Sequence, residues 1–501
     1  MKRITPLDSA FLHAERPAAP PVIAGFFIVD PSTGEGDVIR HRDVLEHVED
    51  RLHFSPALRQ RLVFHPMRIG EPRLIDDENF DLEFHVRHLA LPEPRDRRQL
   101  SILAARLFSR PMDLERPLWE MYIIEGLDHV DDCPKGAFAV LFKLHHAAFD
   151  GVAAGSTIFS MLQKHPQERV SPPLKRWVPE RKPRMLEWVA HTSRESVARS
   201  LSNLQSLPNV SYGMYKLARS NKDRLTRKTI KIPKTRFEGE VSSHKVFDYL
   251  SLPMATVHAA RKKLGGAKVN DFALAIIAGG MRRYGLRKGD LPSTSLYALC
   301  PINVRGEGNP FEGGNHVSFM RVGMATQVED PLERLQIIGQ ETLQGKDIAA
   351  SIGPKFVGNA VGQVPYVYRS VMFRSLSKMT SRGFIRSAAN AIVTNVPNPT
   401  GDHYFAGAKV VSYAGLGPVM DGYGLFHTIT SLEHELAISI TSCREMLPDI
   451  ADYISDLKES SDEMFKLAEQ IPVPSKTKRK SANRKPKHQR ANGTARTLEL
   501  H

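Results

Sequence analysis

Residues 145–151 read His145-His146-Ala147-Ala148-Phe149-Asp150-Gly151, which puts two imidazoles, a carboxylate and a glycine into one heptad. Histidine titrates closest to neutrality of all side chains, so one ring can accept a proton from an alcohol and return it within a single cycle. An alcohol attacking an activated acyl group needs that service, because a hydroxyl alone is a poor nucleophile at neutral pH. His146 begins a His-x-x-x-Asp spacing and is read as the general base. Asp150 would fix its loop through a salt bridge or backbone hydrogen bonds, and Gly151 would let the chain turn sharply. The plainer alternative is that two histidines end a core strand and Asp150 only caps the next helix. Four defined identities within seven residues favour chemistry.

The flanking residues predict how the histidines are presented. Ala137 to Leu144 is an apolar, branched and aromatic run that ends abruptly, as a buried strand does. Val152 to Lys164 predicts a helix with Asp150 at its N-cap position. The histidines therefore fall at a strand-to-loop corner, where a side chain can face a cleft. Upstream, Ala24–Val29 and Met121–Ile124 predict strands, Asp43–Arg51 and Gln99–Ser109 helices, and Phe80–Leu91 extended chain. Downstream, strands are expected over 242–250, 295–304, 317–322, 391–395, 409–413 and 436–441. Helices are expected over 255–264, ending at Gly265-Gly266, and from Asn270-Asp271 to Tyr284.

This pattern gives an α/β fold in two similar units, residues 1–165 and 237–470. A chain of 501 residues with 41% hydrophobic and 8% aromatic content is long enough for two cores. Residues 166–236 form a basic linker with an amphipathic helix starting at Arg184, and residues 471–501 a disordered basic tail. The net charge of +14 is concentrated there: the linker carries +12 and the tail +8, leaving −6 for the rest. Excess basicity confined to connector and tail reads as a surface for an anionic partner, not as a basic active site. The tail lacks interleaved aromatics, so nucleic acid is not expected. The linker helix could lie on a membrane or pack between the two units.

No apolar run approaches the roughly eighteen residues of a membrane span, and the amino-terminal stretch has no apolar core of a secretory signal. Cys133, Cys300 and Cys443 are few, odd in number and widely spaced, which fits a reducing compartment and gives no metal-ligand pattern. The cytoplasm is the expected location, with peripheral association to membrane or lipid inclusions.

Several segments resemble the bacterial wax ester synthase/diacylglycerol acyltransferases, within the wider chloramphenicol-acetyltransferase-like superfamily that shares the His-His-x-x-x-Asp-Gly heptad. They are Pro6-Leu7-Asp8 with Phe11-Leu12, Arg116-Pro117-Leu118-Trp119-Glu120, the heptad itself, Val269-Asn270-Asp271 and Pro301-Ile302-Asn303-Val304-Arg305. Gly314-Asn315, Thr394-Asn395-Val396-Pro397, and Gly417-Pro418 with Asp421-Gly422 complete the set. The chain departs from the family at Pro21-Val22-Ile23-Ala24-Gly25, where Pro-Met-His-Val-Gly is common.

The resemblance implies two chloramphenicol-acetyltransferase-like domains with a tunnel and the active site at their interface. It implies acyl transfer from acyl-CoA, as co-substrate and with no bound cofactor or metal, to a long-chain alcohol or diacylglycerol. On this reading His146 is the base, and His145 either holds the loop or joins it. Asn270 is a candidate oxyanion donor or substrate-orienting amide, with the helix cap as its plainer role, and Gly151 lies beside it in function. Asp271 and Arg305 are structural or CoA-facing candidates, Arg305 by pairing with Asp150 or by meeting the CoA phosphates. Trp119 is read as a core anchor. No Gly-x-Ser-x-Gly elbow is present, so direct attack without an acyl-enzyme is expected. The alternative from another class is a lipid-binding or inclusion-coating protein that keeps the fold without turnover. Anionic lipid would meet residues 166–236 and 475–490.

Overall fold

The structure is a computed structural model that describes residues 2–34, 39–65, 70–149, 151–168, 170, 177–181, 187, 231–303, 317–352, 361–362, 364, 366–396 and 399–471. The linker helix expected from Arg184 (Glu187 apart), the glycine-rich loop 306–315 and the tail beyond Ile471 lie outside these residues.

In the first half of the chain the strands are β1 (Lys2–Arg3), β2 (Val22–Asp30), β3 (Gln60–Val63), β4 (Arg73–Asp76), β5 (Val86–Ala90), β6 (Trp119–Glu125) and β7 (Phe138–His145). The helices there are α1 (Pro6–Ala14), α2 (His41–Arg51), α3 (Leu82–His85), α4 (Arg97–Ser109) and α5 (Gly151–Ser160). The second half holds β8 (Lys245–Pro253), β9 (Tyr297–Asn303), β10 (Val317–Gly323), β11 (Ala391–Val396), β12 (Tyr404–Phe405), β13 (Ala408–Leu416), β14 (Leu425–Ser431) and β15 (Glu435–Cys443). Its helices are α6 (Met254–Lys263), α7 (Val269–Lys288), α8 (Pro331–Ile352), α9 (Tyr366–Ser381) and α10 (Ile450–Gln470). The stretch read as extended over 80–91 begins instead with the single turn α3, because the Asp81 carboxylate accepts the Glu83 N–H and caps it.

Two six-stranded mixed sheets carry the fold, in the orders β12-β13-β2-β7-β6-β5 and β10-β9-β11-β14-β15-β8. β2 and β7 are central, and their near-continuous apolar sequences match burial on both faces. One face, with Phe27, Val29, Val140 and Phe142, packs on Val44 and Val48 of α2 and on Ala154 and Ile158 of α5. Helix α5 approaches closely because Gly25 in β2 has no side chain: a Cβ there would lie 3.1 Å from the Ile158 Cγ2. The other face, with Phe26, Ile28 and Leu141, packs on α4 and also on Phe247 and Tyr249 of β8. The two sheets therefore share a core. In the second half, α7 is apolar almost all round and is buried accordingly. Its Gly280 lets α10 in, since a Cβ there would lie 2.5 Å from a Leu457 methyl.

The sheet pairing crosses the sequence division at 237–470. β13 leaves the second sheet and pairs antiparallel with β2, with Leu416 opposite Ala24 and Lys409 opposite Asp30. Its Val410 and Tyr413 enter one core of the first sheet and its Ala414 and Leu416 the other. Pairing also covers a β2 edge that would otherwise be open. Where β13 meets β15, the buried Glu435 carboxylate accepts from the Ser251 hydroxyl at 2.5 Å, the Ser412 hydroxyl at 2.9 Å and the Tyr413 N–H at 3.0 Å. Burial raises the pKa of this carboxyl against those donors.

Other polar ties cross the same seam. The Arg97 guanidinium bonds the Asp248 carboxylate at 3.1 Å and the Tyr249 carbonyl. Arg16 pairs with Asp421 at 2.5 Å and Glu240 at 2.6 Å. Arg369 of α9 pairs with Glu71, both side chains wholly buried.

Two buried histidines make the fold acid-sensitive. Burial holds His47, beside the Met161 carbonyl, and His427, beside the Tyr453 hydroxyl, at about 3. Released on unfolding, each ring takes up a proton below its free value near 6.5, so the unfolded state gains protons and stability falls as pH drops below that point. The loss runs at about 1.4 kcal/mol per pH unit per ring. The unfolding midpoint should fall between pH 7 and pH 5, and His427→Phe should flatten that fall in a pH series of thermal melts.

Candidate active site

Alternation along β7 puts Ala139, Leu141, Lys143 and His145 on one face, and the strand ends at His145. The His145 amide donates to the Leu118 carbonyl at 3.0 Å. Its ring is fully buried: Nδ1 accepts the Ala147 N–H at 3.1 Å and Nε2 lies 3.5 Å from the Glu15 carboxylate. These contacts commit His145 to shaping the loop. One residue further, the His146 amide donates to the Pro21 carbonyl at 2.9 Å. The His146 ring is half-buried and stacks on Phe11, with centroids 3.9 Å apart and planes at 21°. The departure noted at Pro21-Val22 therefore meets the site through main chain: Pro21 braces His146, and Val22 sits opposite His145.

Phe11 and Glu15 come from α1 and its C-cap. The helix starts there because Pro6 occupies its first turn and the Thr5 hydroxyl oxygen accepts the Asp8 N–H at 3.1 Å. The Thr5 hydroxyl in turn donates to the Asp8 carboxylate at 2.6 Å. Helix α9 backs α1: His13 meets the Tyr366 ring at 4.8 Å, and Arg369 donates to the Ser9 hydroxyl at 3.3 Å. In the sequence Phe11 belongs to a motif that gives it no role, and nothing marks Glu15. A lone aromatic and a lone acid have no spacing signature; only the fold brings them to the histidines.

The remaining candidates divide. Gly151 is the first residue of α5. Asp150 and Arg305 lie outside the described residues. Helix α7 starts one residue earlier than expected, at Val269 with Lys268 as N-cap, so Asn270 is inside the first turn and does not cap it. The half-buried Asn270 accepts the Asn395 amide N–H at 3.3 Å. That leaves its own amide nitrogen to donate. Asn395 precedes Val396 on β11, and a Cβ on Gly155 of α5 would lie 3.8 Å from a Val396 methyl. The helix that follows the heptad thus touches the strand that holds Asn270. Asp271 is buried and accepts the Thr342 hydroxyl at 3.0 Å, tying α7 to α8.

Under the histidine strand lies a charged core. Lys143 is fully buried and donates to Glu120 at 3.1 Å and to the carbonyls of Leu107 at 3.2 Å and Arg110 at 2.5 Å. Burial lowers its pKa against the pull of Glu120. Trp119 is buried, stacks on His85 at 4.6 Å and donates to the Leu58 carbonyl at 2.7 Å, so it anchors the core.

Between α4 and β8 a cavity of about 940 Å³ is lined by Arg97, Arg98, Arg106, Arg110, Lys245 and Arg444 among others. Lys245 is only 8% exposed and its ammonium has no hydrogen-bond partner among the described residues. Desolvation lowers it to about 8. No group of residues that could hold a metal ion occurs among those described.

Residues 4–273 match the wax ester synthase/diacylglycerol acyltransferase catalytic domain, and residues 313–465 match the WS/DGAT C-terminal domain. The chain belongs to this family. A putative diacylglycerol O-acyltransferase of Mycobacterium tuberculosis is 28% identical over 475 residues, covering 94% of this chain and 92% of that protein. The O-acyltransferase WSD of Acinetobacter baylyi is also 28% identical, over 471 residues covering 92% and 96%. Among solved structures, the wax ester synthase/diacylglycerol acyltransferase of Marinobacter aquaeolei superposes with a TM-score of 0.66 at 22% identity, covering 93% of this chain and all of that one. The starter condensation domain of rhizomide synthetase, solved in complex with C8-CoA, gives 0.53 at 14% identity and covers 94% of this chain and 95% of that one.

This chain is therefore an acyltransferase with the two-domain fold of its superfamily. The resemblance read from its motifs holds, and the structure gives several of those motifs a physical task. In this acyltransferase Leu118 receives the His145 amide, Trp119 anchors the strand and Glu120 neutralises Lys143. Removing the ring under His146 should loosen the imidazole with little cost to folding. Phe11→Ala is expected to lower kcat/KM by about tenfold to a hundredfold through misplacement of the imidazole, with the thermal midpoint near wild type, and Phe11→Leu to recover part of the loss.

Proposed function

We propose that this acyltransferase moves a fatty acyl group from CoA to the hydroxyl of a long-chain alcohol or diacylglycerol, with His146 as general base and no acyl-enzyme. The observation that carries the reading is the half-buried His146 ring, held by its own amide at one end and by Phe11 across its face. His146 takes the acceptor proton as the hydroxyl oxygen attacks the thioester carbon. The tetrahedral adduct then expels the CoA thiolate, which receives the same proton from the imidazolium, leaving ester and free CoA. The Asn270 amide nitrogen is the candidate donor to the adduct's oxyanion.

The cysteines support direct attack. Burial pushes Cys300 to about 12 and Cys133 to about 11, so neither is a thiolate near neutral pH. The basic cavity beside α4 supports an acyl donor with phosphates, which the unpaired Lys245 ammonium and the surrounding arginines would neutralise. The M. tuberculosis and A. baylyi relatives are named for diacylglycerol and O-acyl transfer, which supports hydroxyl acceptors. The basic segments 166–236 and 475–490 would hold a cytoplasmic enzyme at an anionic membrane or lipid-inclusion surface. No described helix is long and apolar enough to cross a membrane.

Release of free thiol from acyl-CoA and hexadecanol tests the mechanism. His146→Ala should lower kcat by about a thousandfold, the scale of general-base catalysis; undiminished release would overturn the assignment. The donor site has its own test. Lys245→Met or Arg106→Ala should raise KM for acyl-CoA about tenfold, in line with the loss of a charge-assisted bond to phosphate, and leave KM for the acyl thioester of pantetheine, which lacks phosphates, within about twofold of wild type.

A further inference from the structure

Helix α9 exposes an apolar stripe that nothing in the described structure covers. Tyr368, Val371, Met372, Leu376 and Met379 are 65%, 64%, 36%, 44% and 44% exposed, and Phe384 and Ile385 just past the helix are 75% and 36% exposed. Their spacing follows one face of a helix, with Ser375 as the small residue in the row. The opposite face is committed to the protein: Arg369 pairs with Glu71, and the Ser377 hydroxyl donates to Asp421 at 2.6 Å. Scattered apolar side chains on a surface are ordinary, but a contiguous helical row of this size marks an interaction site.

The charge around the row selects the partner. Between Asp347 and Asp402 the chain has six Lys/Arg and no Asp or Glu. Four of these, Arg374, Lys378, Arg382 and Arg386, are exposed and make no ion pair with a described residue. An apolar face whose own segment carries cations and no acids matches an interface with hydrocarbon beneath and anionic headgroups beside it.

We propose that the exposed face of α9, with Phe384 and Ile385, docks this enzyme on an anionic lipid surface. The helix lies in the surface plane, its apolar row in the acyl region and its cations among the headgroups. The buried side of α9 packs on α1, which carries the Phe11 that supports His146. Docking therefore puts the α1 side of the site against the phase in which an apolar acceptor dissolves; this last step rests on the function proposed above, whereas docking does not.

Sedimentation of the full chain with vesicles of phosphatidylcholine, alone or with phosphatidylglycerol, reads the docking directly. Wild type should bind the phosphatidylglycerol vesicles about tenfold tighter or more. The pair Val371→Glu/Leu376→Glu should weaken that binding by about tenfold or more, and Lys378→Glu/Arg382→Glu should cut the preference for anionic lipid by about tenfold or more, leaving the part that the basic segments 166–236 and 475–490 supply. Turnover of a short, water-soluble alcohol should stay at the wild-type rate in both, while turnover of vesicle-borne acceptor falls. Equal vesicle binding by wild type and the Val371→Glu/Leu376→Glu pair overturns the proposal. So does absence of vesicle binding by wild type, or a wild-type dimer that the same substitutions split, which would make the row a contact between two copies. Vesicle binding that depends on α9 in a protein that turns over no acceptor upholds docking and removes the catalytic reading instead.

Discussion

The hydrogen bond from the His146 amide to the Pro21 carbonyl decides where the imidazole can be. It is the first main-chain bond past the end of the β2–β7 ladder, so it extends the rigidity of two central strands by one residue into the loop. A histidine inside β7 would be sealed in the core, as His145 is. A histidine two residues later would replace Ala148, whose amide donates to the His145 carbonyl at 3.1 Å and whose side chain packs on the apolar core. His146 stands at a position that is both anchored and partly open. Everything else near it works to preserve that placement: Glu15 faces the neighbouring ring, Phe11 supports the flat side of His146, and Lys143 with Glu120 neutralises the layer below.

The supports come from distant parts of the chain, and that explains the concentration of polar contacts along the seam. Helix α9 backs α1 through the bond from Arg369 to the Ser9 hydroxyl, and the buried Arg369–Glu71 pair ties α9 to the segment before β4. A buried ion pair of this sort adds little net stability but is costly to break, since either partner alone would be an uncompensated charge. Its effect is to reject other placements of α9 against the segment that leads into β4. The Glu435 carboxylate does the same for β13 against β15, with three donors arranged around one acid.

The histidine corner was legible from sequence because its signals are local: an apolar run, an abrupt polar end and a helix start within a few residues. β2, β7, α4 and α7 were legible for the same reason, through period and caps, with boundaries off by no more than four residues. The family was legible because its motifs are short and keep their order. What escaped is whatever depends on distant partners. β14 and the helices α8, α9 and α10 escaped as well, although α8 and α9 do carry local marks: Asp330 accepts the Glu333 N–H at 2.6 Å beside Pro331 at the start of α8, and Gly383 follows α9 at φ 74°. The passage of β13 into the first sheet has no local mark at all, since its residues would suit either sheet. Asn270 suggests a cap by composition, yet the chain enters α7 one residue earlier and turns its amide towards Asn395.

Lodging β13 beside β2 also has a consequence for how the chain is made. During synthesis β2 and β7 leave the ribosome long before β13 exists, so one border of the first sheet waits unpaired while the rest of the polypeptide is translated. An unpaired apolar strand border is a template for unwanted association. The amino-terminal half therefore cannot mature on its own, and its completion is timed by the arrival of a segment encoded near the far end of the message.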